Sequence, residues 1–257
     1  MKVLIVDPYY PAFLNTFYSQ NPTVKNLSYE RQQKKLFADL FGTADFYSSA
    51  LTKLGHPAHD IILNNQALQQ KWLEEHTGIF LSFRQKFQDF ILQHLPLVSG
   101  KIAANWEHKV LEQQINYFKP DVLYSHNIGY LDPDFLFAIK NKVKLIAGQI
   151  ACPLPFWRNF KPYDLIITSF PHFLPKFKKM GIKAEYLPLC FEPSVLNKIP
   201  RQKRIYDLTF IGGISRAHTE GFKLLNALAE KVKIDVWGYG KDELDPKSRL
   251  YQNHHGE

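Results

Sequence analysis

The stretch Asp207-Leu-Thr-Phe-Ile-Gly-Gly-Ile-Ser-Arg-Ala-His-Thr-Glu-Gly-Phe-Lys-Leu-Leu-Asn-Ala-Leu-Ala229 decides the fold. It reads as a buried strand, a glycine turn and an amphipathic helix. Such a turn, with the helix N-terminus behind it, offers backbone amides to a phosphate or diphosphate. The candidate contacts are Gly212, Gly213 and Ser215, with Arg216 as the fixed cation and His218 at the start of the helix. An ordinary strand-to-helix turn is the competing reading. A dinucleotide site is disfavoured, because Gly-x-Gly-x-x-Gly is absent and Asp235 falls inside a strand rather than at its end.

Upstream, residues 190–206 carry Pro193, Pro200 and the basic run Lys198, Arg201, Lys203 and Arg204, the composition of an interdomain linker. Before it, strands are predicted over 2–7, 59–63, 120–126, 144–150, 164–169 and 184–187. Helices are predicted over 28–54 with a break at Gly42, over 65–118 with breaks near Gly78 and Pro96, over 132–140 and over 171–180. Ser99 suits the N-cap of the last helix before residue 118, whose apolar stripe runs through Ile102, Trp106, Val110 and Ile115. Alternation of this kind predicts an α/β fold, a mostly parallel Rossmann-like sheet with helices on both faces.

The expected organisation is a domain over 1–190, a linker over 191–206, and the first β-α-β of a second Rossmann-like domain over 207–257. An α/β domain usually needs about 100 residues or more. The second domain is therefore expected to be incomplete, with an unfinished polar tail over 242–257.

The balance of 45% hydrophobic and 22% charged residues fits a globular chain rather than a disordered one. No apolar run is long enough to span a bilayer, and the N-terminal Met1–Asp7 reads as a strand rather than a signal peptide, so a cytoplasmic location is expected. The net charge of +8 suits phosphorylated small molecules or peripheral contact with an anionic membrane. Apart from the linker run there is no basic block, and a nucleic-acid partner is not expected. Cys152 and Cys190 have no partner motif and are expected to be small buried hydrophobes. No metal-binding motif is present, and no metal or cofactor is expected.

Ligands of open α/β sheets bind beyond the carboxyl ends of the strands. Asp7 ends the first strand, His126 and Asn127 end the third, and Gln149 lies near the end of the fourth. His126 suits a base or a hydrogen-bond donor, with a satisfied structural histidine as the alternative. Tyr9 and Tyr10 suit stacking on a sugar or base, or plain loop packing. Arg158 reads as a surface residue within reach of a phosphate.

These motifs, in this order, resemble the two-lobed GT-B glycosyltransferases, closest to their group 1, spore-maturation-protein-like branch. The resemblance rests on Lys2–Asp7 with Tyr9-Tyr10, on Phe41–Ser48 with Leu54-Gly55-His56, on Asp121–His126, on Tyr186–Glu192 and on Phe210–Leu225. It departs at Glu220, which stands before Gly221 where many members place a lysine. The resemblance implies metal-independent transfer from a nucleotide-diphosphate sugar to a glycan, lipid or protein acceptor. Within that reading the strand-end residues Asp7 and His126 are the expected catalytic residues, and Tyr9, Tyr10, Asn127 and Gln149 the expected substrate contacts. The donor diphosphate falls to Gly212, Gly213, Ser215, Arg216 and His218, and a chain stopping at Glu257 is expected to be inactive alone. A non-enzymatic binding module and an epimerase-type enzyme on nucleotide sugars are the alternatives.

Overall fold

The computed structural model describes residues 1–78, 105–155, 157–200, 202–215 and 219–256. They form two compact units, Met1–Pro193 and Ser194–Glu257. The fold is α/β and Rossmann-like: a six-stranded parallel sheet flanked by helices in the first unit and a β-α-β in the second.

The strands of the first unit are β1 (Val3–Val6), β2 (Ala58–Ile61), β3 (Val122–Ser125), β4 (Leu145–Ile150), β5 (Leu165–Thr168) and β6 (Ala184–Tyr186). Their order is β2-β1-β3-β4-β5-β6. The chain steps outward from β1 to β2, then crosses back to β3 on the other side of β1. The sheet therefore changes direction between β1 and β3, and neighbouring crossovers part there to leave a crevice. β1 reads Val-Leu-Ile-Val and is buried throughout, as a central parallel strand covered on both faces must be.

The helices are α1 (Pro11–Gln20), α2 (Tyr29–Ala38), α3 (Phe46–Lys53), α4 (Gln66–Thr77), α5 (Trp106–Phe118), α6 (Pro133–Ile139) and α7 (Leu174–Lys179). One face of the sheet, through Leu4, Leu123 and Ile146, packs on Leu111 and Ile115 of α5, Phe135 and Leu136 of α6, and Phe177 of α7. The other face, through Ile5, Tyr124 and Ala147, packs on Tyr47 and Leu51 of α3. A further core joins α1, α2 and α4 through Phe17, Leu36 and Trp72.

The second unit pairs β7 (Thr209–Ile211) with β8 (Asp235–Trp237) in parallel across α8 (Thr219–Ala229). The polar tail packs onto this unit. A short α9 (Arg249–Gln252) places Leu250 in the core with Leu244 and Val236, and His254 bridges to Val236. Its scattered apolar residues, spaced between polar ones, hid that packing.

Three other expectations are corrected. Cys152 and Cys190 are exposed, because both lie past strand ends where no element covers them. The predicted helix over 171–180 is a 3-10 turn, Pro171–Phe173, followed by α7. Asn105, not Ser99, caps α5, its side chain accepting from the Glu107 amide at 2.9 Å; Ser99 and Ile102 lie outside the described residues. Among the described residues no helix is long and apolar enough to cross a membrane.

Candidate functional site

Parallel register decides which side chains meet at the end of the sheet. Ile5 stands opposite Tyr124, and Tyr124 opposite Ala147. Side chains alternate between faces, so two residues further on Asp7, His126 and Gln149 fall in one row on the α3 face. The row straddles the switch between β1 and β3. Of the expected site residues, these three are brought together.

Thr43, from the loop before α3, completes the cluster. Its hydroxyl donates to Asp7 Oδ2 at 3.2 Å and lies 3.2 Å from His126 Nδ1, while His126 Nδ1 and Asp7 Oδ2 are 3.5 Å apart. A hydroxyl has one proton to give, and Asp7 takes it, so Nδ1 carries the proton donated to Thr43. In the neutral ring that assignment leaves a lone pair on Nε2, which is buried and unpartnered among the described residues. Tyr47 sets its ring against the imidazole at 4.7 Å. Gln149 Oε1 accepts from Tyr124 at 2.5 Å and from Tyr47 at 3.4 Å, which locks the aromatic wall beside His126.

Behind this row sits Asp60 of β2, 8% exposed and hydrogen-bonded to the Ser48 hydroxyl. Burial pushes its carboxyl up to about 7, against the opposing pull of Ser48 and of His126. Tyr9 is buried, with its hydroxyl unpartnered among the described residues. Burial, then the charges of Asp7, Asp60 and Asp45, push that phenol well above its ordinary range. Tyr9 is thus part of the wall and no open stacking platform, whereas Tyr10 is 73% exposed.

Beside the cluster, over the ends of β1 and β2, a cleft of about 1090 Å³ opens between the Pro8–Pro11 loop, α1 and the first turns of α4 and α5. Tyr10 and Asn127 line it, but Asn127 Oδ1 is engaged by the Gly129 amide at 2.8 Å in a turn. Glu107 accepts from the Tyr130 hydroxyl at 2.5 Å, and burial holds its carboxyl above the usual range. Arg158 turns inward and donates to the Leu131 carbonyl.

In the second unit the Gly212-Gly213 turn packs against the turn after β8. The Gly212 amide donates to the Trp237 carbonyl and the Ile214 amide to the Tyr239 carbonyl, both at 2.9 Å. A Cβ on Gly213 would lie 2.0 Å from the Tyr239 ring. Gly213 therefore permits loop-to-loop contact, and two of the turn's amides are committed. Gly213 and Ser215 line a pocket of about 310 Å³ with Phe210, Phe222 and Leu225, and their amides donate to no described residue. Arg216 and His218 lie outside the described residues.

Sequence reasoning passed over Thr43, Asp60, Glu107 and Tyr130 as site residues. Thr43 had a signal, since it stands beside Gly42 in a loop returning to the sheet; Asp60 and Glu107 lie inside an ordinary strand and helix, and Tyr130 in a turn between elements. Among the described residues no group of three or more His, Cys, Asp or Glu is arranged to hold a metal ion. No protein-family model matches the chain, and no curated protein matches it significantly.

Proposed function

We propose that the chain is a glycosyltransferase that uses a nucleotide-diphosphate sugar. The observation that carries this reading is the Asp7–Thr43–His126 relay at the switch point of a parallel sheet, beside a large cleft of mixed polar and apolar lining. In transfer, the acceptor hydroxyl oxygen bonds to the anomeric carbon as the bond from that carbon to the diphosphate oxygen breaks. The electron pair leaves with the diphosphate, and the hydroxyl proton must go to a base. His126 Nε2 is that base in this reading, and Asp7 stabilises the imidazolium through Thr43. Nε2 is shielded from solvent, so proton transfer requires local opening of the crevice. In the second unit the remaining amides of Gly213 and Ser215 and the start of α8 are the diphosphate contacts.

The commitment of the Gly212 and Ile214 amides favours the second reading, a binding module without transfer. Two measurements separate them: thermal shifts with nucleoside diphosphates, and release of nucleoside diphosphate from nucleotide sugars with and without acceptors. Stabilisation by one nucleotide class and acceptor-dependent release are expected. His126→Ala should lower turnover by about 10²–10⁴-fold and leave the nucleotide affinity unchanged. If no nucleoside diphosphate binds at millimolar concentration, the transferase reading fails. Isomerised nucleotide sugar without an acceptor would identify an epimerase-type enzyme instead.

A further inference from the structure

The cleft of the first unit has a chemistry of its own. At about 1090 Å³ it sits at the top of the range of about 300–1,000 Å³ of small-ligand pockets, so it has room for more than a single small ring. Its rim and walls carry aromatic rings, Tyr10 and Trp106, and carboxamides, Asn15, Gln66 and Gln70. Among its described lining residues there is one carboxylate, Glu107, and one cation, Lys25, which lies over the Tyr18 ring at 5.4 Å. One side-chain charge of each sign is no cluster of cations to hold an anion. A wall built for a phosphate chain would concentrate arginine, lysine and free amides.

We propose that this cleft binds a neutral oligosaccharide. Sugars present an apolar C–H face, which aromatic rings cover, and pairs of adjacent hydroxyls, which carboxamides and carboxylates bridge as joint donors and acceptors. Glu107 is the polar anchor, its carboxyl oriented by the Tyr130 hydroxyl at 2.5 Å where it lines the cleft.

The floor beneath is pre-organised. Asn65, 2% exposed, accepts from the Leu68 amide at 3.2 Å and donates to the Tyr18 hydroxyl at 3.1 Å. Tyr18 in turn donates to buried Gln32, which is held by the Lys25 and Leu27 carbonyls. Asn64 clamps the Tyr9 backbone through both of its amide atoms, at 3.0 and 2.6 Å, and so sets the loop that carries Tyr10. A rigid floor lowers the ordering cost of binding.

The inference names the acceptor class of the proposed transferase and rests on that reading only for the word acceptor; saccharide binding itself does not require transfer. The test is saturation-transfer NMR on the whole chain with maltotetraose, cellotetraose, chitotetraose and mannotetraose, alongside a sulfated heparin tetrasaccharide and inorganic phosphate. Saturation of at least one neutral tetrasaccharide is expected. Its affinity should fall about tenfold or more in Glu107→Gln and in Tyr10→Ala. Tyr10 is exposed, so Tyr10→Ala should keep the wild-type melting temperature.

Saturation of the heparin fragment or of phosphate alone, or of no probe, overturns the proposal. So does a neutral saccharide whose affinity neither variant changes. Nucleoside diphosphate binding without saccharide binding would spare the transferase reading and sink this one. Saccharide binding without nucleotide binding would do the reverse.

Discussion

Two buried titratable side chains pull the stability of the first unit in opposite directions with pH. Asp60 is raised from its ordinary range to about 7 by burial, so the folded chain holds a proton that the unfolded chain releases near pH 4. Its contribution is fully present below the unfolded pKa and is lost as the pH rises toward 7. His108 is stacked on Phe135 at 4.4 Å and lowered to about 4, again chiefly by burial. Its contribution is present above the unfolded pKa near 6.5 and is lost as the pH falls toward 4. The two slopes, each worth on the order of a few kcal/mol over the window, partly cancel in the wild type. Asp60→Asn removes one of them. Urea unfolding between about pH 4 and 7 should then show stability rising with pH more steeply than in the wild type. An identical slope in both proteins would mean that Asp60 is not protonated in the fold.

Among the elements, α4 and the second unit's turn carry the clearest consequences. Asn65 caps α4 and also holds the Tyr18 hydroxyl, so Asn65→Ala loses a cap and a buried hydrogen bond. The expected cost is about 1–3 kcal/mol by chemical denaturation, with no more than a few tenths pointing to a rearranged floor. Gly240 has φ of +90°, and a Cβ there would meet the Ile214 carbonyl oxygen at 1.9 Å. That oxygen belongs to a backbone that cannot swing aside, because the Ile214 amide is bonded to Tyr239. Gly240→Ala should therefore cost about 2 kcal/mol or more. Hydrogen exchange should show lost protection over Thr209–Ile211 and Asp235–Trp237, with Val122–Ile150 unchanged. Equal loss in both places would show that the two units do not hold separate cores.

For the whole molecule, two units with separate cores are joined by a chain segment rich in exposed apolar residues, including Leu189, Phe191, Leu196, Ile199 and Ile205. Over 188–206 the described backbone has little internal hydrogen bonding beyond the short 3-10 turn at Pro193–Asn197. Such a segment opens locally at little cost. Native-state trypsin should cleave at Lys198, Lys203 or Arg204 while the bonds within β3–β6 and β7–β8 survive. Survival of those three sites until global unfolding would show that the segment is held down.

The sequence by itself determined what is local. Continuous apolar runs marked the buried parallel strands, and Gly42 and Gly78 marked breaks between helices. Alternation of strands and helices determined the α/β class, and strand-end logic placed Asp7, His126 and Gln149 at one edge. Tertiary structure alone decided what depends on contact between distant segments. The strand order set β1 beside β3, which made neighbours of Asp7 and His126, and a loop return brought Thr43 between them. The amides of Gly212 and Ile214 looked free from their own sequence and were claimed by carbonyls after β8. Glu107 looked like an ordinary helical residue until Tyr130, 23 positions away, closed on it. Period and turn chemistry are written in consecutive residues, whereas burial, hydrogen-bond satisfaction and pKa belong to neighbours that the chain brings from elsewhere.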